Sequence, residues 1–94
     1  SIMRVAKRVP TGIQDVVNQL QDNNFHVNIN HDMKSRTTTL KIEHNINPLS
    51  AVGVSHCAPG DNFDRATGTK IAFTRAMSDL RAYIGREGIK TILK

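Results

Sequence analysis

The chain has no tryptophan, a single cysteine and few aromatic residues, which make up 4% of its 94 positions. Scarce rings leave little for a base-stacking platform, which needs several of them exposed on one surface. The lone thiol, Cys57, cannot close an internal disulfide, so the chain reads as a cytoplasmic protein. No apolar run approaches the roughly 20 residues that span a bilayer, and none has the form of a signal-peptide core. A membrane partner is therefore not expected. Walker loop, dinucleotide fingerprint and serine elbow are also missing. Neither Cys-x-x-Cys nor His-x₃-His occurs, so four histidines and Cys57 make no metal signature. Adjacent strand residues point to opposite faces, so His56 and Cys57 cannot serve as a base and nucleophile pair. Asp61 and Asp64 would suit an acid–base pair, but in a Pro-Gly loop before a helix they read better as turn and cap residues. The chain is expected to bind rather than catalyse, without cofactor or metal.

What is present is positive charge. The net charge is +5 and the pI about 9.9, a surplus that favours anionic partners. Hydrophobic residues at 38% and charged residues at 22% are ordinary for a globular fold, and the length suits one domain over residues 1–94.

Along the chain, Arg4, Lys7 and Arg8 alternate with apolar residues in a basic arm over residues 1–9. Pro10 and Gly12 precede Ile13, Val16, Val17 and Leu20, whose spacing predicts a helix from about residue 11 to 23. Asp15 is expected in its first turn. Asn23 and Asn24 are suitable stop residues. The period then drops to two. Phe25, Val27 and Ile29 alternate with His26, Asn28 and Asn30, a strand with one buried face. His31 to Arg36 reads as a turn. Leu40, Ile42 and Ile46 against Thr39, Lys41, Glu43 and Asn45 predict a second strand, ended by Asn47-Pro48. Ala51 to Cys57 makes a third, with Val52 and Val54 expected inward and Gly53, Ser55 and Cys57 on the other face. His26, Asn28, Asn30, Thr39, Lys41 and Ser55 then form the outward sheet face.

Asp64 is placed to cap a long helix from Arg65 to about Arg86. At 100° per residue its apolar arc comprises Ala66, Ala72, Phe73, Ala76, Met77, Leu80, Tyr83 and Ile84. Gly85 and Gly88 are read as its end. The tail, residues 88–94, carries Ile89, Ile92 and Leu93, which must pack back or meet a partner. With Ile71 and Ala82 they are candidates for a homo-oligomer contact.

The element order is α-β-β-β-α, an α+β fold with a three-stranded antiparallel sheet and two helices on one face. That order, with the small-residue ladder Gly68, Ala72 and Ala76 and Met77 after it, resembles the double-stranded-RNA-binding-domain fold. In that family a lysine cluster opens the second helix. Here only Arg65 matches one of its positions, with Ala66 and Thr69 at the others, and His31 loosely resembles the family's strand-turn histidine motif, without the Gly-Pro before it. Gly53, Pro59, Asp61, Gly68, Ala72, Arg75-Ala76 and Asp79-Leu80 are also similar to a bacterial family of small proteins with this type of fold, whose function is unknown and whose comparable members are carried by phages.

The resemblance implies contact with phosphates through the second helix and the first strand turn. The residues that would make it are Arg65, Lys70, Arg75 and Arg81 with Lys34 and Arg36, joined by Arg4, Lys7 and Arg8 of the arm. Helix N-terminal amides are expected to assist. The partner is then RNA or DNA. The rival expectation is a phage anti-defence or host-takeover factor that inhibits a bacterial protein or sequesters a nucleotide signal.

Overall fold

The computed structural model describes residues 11–93, with the side chain of Thr11 outside that description. Its elements run α1 (Thr11–Asp22), β1 (Phe25–Asp32), β2 (Thr37–His44), β3 (Ser50–His56) and α2 (Arg65–Ile92). The order is α-β-β-β-α. The strands form one antiparallel sheet, β1-β2-β3, and both helices pack on the same face of it. The basic arm, Arg4, Lys7 and Arg8 included, lies outside the described residues.

Helix α1 buries Ile13, Val17 and Leu20. Asp15 is its fifth residue, beyond the first turn where it was expected. The helix stops where the asparagines begin. Asn23 N–H donates to the Leu20 carbonyl, its side-chain amide to Gln19, and Asn24 takes a positive φ of 68°. Asparagine tolerates that left-handed conformation better than most residues. The chain thereby reverses within two residues and enters β1.

Strand register fixes the core. Val27 stands opposite Ile42 and Ile29 opposite Leu40, so the inner faces of β1 and β2 carry the large side chains. Leu20, Leu40, Ile42, Leu80 and Val17 are fully buried. Each such burial is worth about 2 kcal/mol. Ile46, expected inward, is 78% exposed, because β2 ends at His44 and the chain turns there. The His44 imidazole holds that turn by accepting the Ile46 and Asn47 N–H groups at Nδ1.

The third strand is inverted relative to expectation. Ala51, Gly53 and Ser55 face inward, while Val52 and Val54 face outward with Lys41 and Thr39 of β2. The cause is the close approach of α2. A Cβ on Gly53 would collide with the Ala72 carbonyl oxygen and the Ala76 amide nitrogen, so no valine fits there. Small residues on the helix meet small residues on the strand. The outward face thus comprises His26, Asn28, Asn30, Thr39, Lys41, Val52 and Val54, and Ser55 is not part of it.

Helix α2 buries Gly68, Thr69, Ala72, Ala76 and Leu80, with Phe73, Met77 and Ile84 partly buried beside them. Tyr83 and Ala66, placed in the apolar arc by angle alone, are exposed. The first twenty residues of α2 run about 30 Å, whereas strands of seven or eight residues span about 25 Å. At Gly85 the backbone leaves helical geometry (φ 77°, ψ 171°) and a further helical segment runs on to Ile92. That break lets the tail fold back. Ile92 is buried, and Ile89 and Leu93 pack on the core, so these three are not available for the oligomer contact expected of them. Of that set, Ile71 and Ala82 remain exposed.

Candidate functional site

The β1–β2 turn is built by Asp32, whose carboxylate accepts the N–H groups of Lys34 and Ser35. Those bonds hold the Asp32 carboxyl below its ordinary value. The turn presents Met33 and Lys34 to solvent, next to the start of α2. Arg65 Nη2 lies 4.0 Å from the Met33 sulfur, and the Phe63 and His31 rings meet edge to face at 6.1 Å. The two basic elements expected to act together are thus adjacent. Further along α2, Lys70 and Arg81 stand on one solvent-facing ridge, eleven residues or about three turns apart.

Among the described residues the ion pairs are His26–Glu43 and Lys90–Glu87. Lys34, Arg65, Lys70 and Arg81 have no carboxylate partner among them. The other two candidate cations are spent on the scaffold. Arg36, in a left-handed conformation at φ 56°, turns inward, where Nη2 donates to Cys57 Sγ (3.2 Å) and to the Asp61 carbonyl. Arg75 Nη1 donates to the Val54 carbonyl at 2.6 Å. Asp79 accepts the Val52 N–H at 3.0 Å. Arg75 and Asp79 do not pair with each other. They cover the free edge of β3, where unpaired backbone groups would otherwise invite another strand.

The first turn of α2 is not open to an anion. Asp64 occupies it, accepting the Ala66 N–H at 3.0 Å and the Thr67 hydroxyl at 2.8 Å. The Thr67 bond, followed by that from Ala66, lowers the Asp64 carboxyl from its ordinary value. The expected help from helix amides is therefore taken up by the protein's own cap.

Beside that cap the structure holds a cavity of about 490 Å³. Its walls are the end of β3 at Ser55–Cys57, the loop at Asp61–Asp64, and Thr67, Gly68 and Ile71 of α2. Cys57 is half-buried, its sulfur directed at Arg36 and the loop carbonyls. Sequence reasoning missed this feature. Its one trace in the sequence is the Pro59-Gly60 loop, and Ser55 lies on the inner face rather than the outward face expected of it. No group of three or more His, Cys, Asp or Glu among the described residues is placed to hold a metal ion, and no described helix is long and apolar enough to cross a membrane. No family model, curated protein or solved structure matches the chain.

Proposed function

We propose that this protein binds the phosphate backbone of a nucleic acid, without catalysis, through the β1–β2 turn and the solvent face of α2. The observation that carries the reading is the contact of Arg65 with Met33 in the β1–β2 turn that also carries Lys34, and the exposed cations Lys70 and Arg81 further along α2, none of the four with a carboxylate partner among the described residues. Unpaired cations on a protein of net charge +5 are repelled by one another and are relieved by a polyanion. The resemblance to double-stranded-RNA-binding domains supports the same two elements as the contact surface, since dsRNA is gripped by shape and phosphate contacts. Arg36 and Arg75 take a supporting part, holding the loop and the β3 edge that frame the surface.

Fluorescence anisotropy with labelled duplex RNA, duplex DNA and single strands tests this over a salt series. Affinity should fall steeply as salt rises, because each phosphate contact releases counterions. Arg65→Ala and Lys70→Ala should each weaken binding and flatten the logarithmic salt slope by about 0.7–0.9. Absence of binding to all of these at low salt would remove the reading.

A further inference from the structure

We propose that two copies of this chain associate through the outer edge of β1, joining their sheets antiparallel about a two-fold axis at Asn28. The contact differs from the one expected of Ile71, Ala82 and the tail, and three observations support it.

The first is an open edge. Strand β1 ends the sheet, with β2 on one side of it only. Asn45 N–H donates to the Asn24 carbonyl, one step before the paired residues Phe25 and His44. Hydrogen-bonded and non-bonded residue pairs alternate along an antiparallel ladder. His26, Asn28 and Asn30 therefore turn their backbone groups toward β2. The N–H and C=O groups of Phe25, Val27 and Ile29 point away from it, without a partner among the described residues. The opposite edge is closed, since Asp79 accepts the Val52 N–H and Arg75 donates to the Val54 carbonyl. Strand β1 has no such cover from α2, and it carries no Lys, Arg or Pro of the kind that blunts an exposed strand.

The second is the distribution of charge. Helix α1 packs against β1, and neither element contains a Lys or Arg. A polyanion finds no cation on this side, and two copies meeting here bring no cations together. Helix α2 packs on β3 and β2, so its basic face stays outside the contact.

The third is that the strand complements its own reverse, as a two-fold contact requires. With the axis at Asn28, Val27 of one copy stands opposite Ile29 of the other on the inner face. On the outer face Asn28 meets Asn28 and His26 meets Asn30. Apolar side chains face apolar ones, amides face amides, and the two Asp32 carboxylates lie at opposite ends. The open groups of Val27 and Ile29 then bond one another across the axis.

Sedimentation velocity of the full chain, freed of nucleic acid and run from micromolar to millimolar concentration, tests the proposal. A dimer should form as concentration rises. Added salt should not weaken it, in contrast to any hold on a polyanion. Amide exchange at Val27 and Ile29 should slow over the same concentrations. Asn28 is exposed, so charge can be placed there without disturbing the core. Asn28→Lys and Asn28→Asp should each weaken self-association by about fivefold or more, because like charges then stand directly opposite. Mixing the two variants should restore a dimer containing one of each, which also shows that both are folded. A monomer at every concentration overturns the proposal. If its Val27 and Ile29 amides are nonetheless protected, another segment of the same chain covers the edge. A dimer that is indifferent to both Asn28 variants overturns it too, and places the contact elsewhere. Salt-dependent binding of nucleic acid by a monomer would leave the backbone reading intact.

Discussion

Gly53 is held where a single methyl group would run into the backbone of the facing helix. Neither Ala72 nor Ala76 can yield, because the obstructing atoms are a carbonyl oxygen and an amide nitrogen of α2 itself. Gly68 is different. A Cβ there would meet the Thr38 hydroxyl at 2.5 Å, the far end of a side chain that can rotate at the expense of its bond to His31. Gly53→Ala should therefore destabilise by about 3 kcal/mol or more, as overpacking against unyielding structure does, and Gly68→Ala by clearly less. Urea denaturation of the two variants checks the ranking. Equal losses would mean that helix and strand are farther apart than described. The same contact explains why β3 was the least legible strand. Val52, Val54 and their small neighbours alternate correctly for a strand, but alternation alone does not say which face is buried. Hydrophobicity favours the valines. The decisive fact was the Gly68, Ala72 and Ala76 ladder, which was visible in the sequence and demanded small partners across from it.

Asp64 and Asp32 give the residue scale a pH dependence. Both carboxyls are held below the ordinary aspartate value near 3.8 by hydrogen bonds to their charged forms. A lowered folded value means that the fold favours the carboxylate. The stabilisation is complete above the ordinary value and is lost as pH falls through the lower folded one. Asp32→Asn with Asp64→Asn keeps an acceptor at each position and removes the titration. The double variant should lose less stability than the parent between about pH 5 and pH 2, measured by urea unfolding. Identical acid profiles would place the acid sensitivity elsewhere. The Asp64 cap was legible in the sequence, since a short acceptor before a helix is a strong local signal. Asp32 was not, because its role depends on the conformation of the turn it folds into.

At the scale of elements, the second helix divides at Gly85. With φ 77° and ψ 171° this residue occupies a region that is open in practice only to glycine. Gly85 and Gly88 predict the end of the helix there. The first half of that idea is sound, because regular geometry does fail at Gly85. What local pattern could not show is that the chain resumes a helix and returns Ile89, Ile92 and Leu93 to the core. Their docking depends on the direction given by one residue. Gly85→Ala should cost about 1–3 kcal/mol through backbone strain, and should loosen the tail before the rest of the molecule. Amide exchange over Ile89–Leu93 should quicken more than that over Ala72–Leu80. Uniform acceleration across α2 would show that the tail unfolds only with the whole domain. The edge of β3 has a parallel logic. Arg75 and Asp79 stand four residues apart on α2, the spacing of a helical ion pair, yet each bonds the backbone of the strand beside it. Sequence spacing identifies which charges share a helix face; only packing tells which of them the scaffold consumes.

Across the whole molecule, unpaired positive charge should act with opposite sign on folding and on binding. A net charge of +5 with few ion pairs among the described residues means that cations repel one another in the compact state. At about 10 mM salt the screening length is about 30 Å, comparable to the length of α2, and near 150 mM it is about 8 Å. Added salt should therefore raise the unfolding temperature over this range by relieving repulsion among Lys34, Arg65, Lys70 and Arg81. Over the same range it should weaken any hold on a polyanion. Lys70→Glu with Arg81→Glu would bring the net charge from +5 to +1. That variant should be more stable than the parent at low salt, show a flatter salt response, and bind nucleic acid poorly. Thermal unfolding at several salt concentrations, run beside the anisotropy series, checks both signs on one preparation. If the parent's unfolding temperature does not change with salt, its cations are not held in mutual repulsion, and the electrostatic basis of the binding surface fails with it.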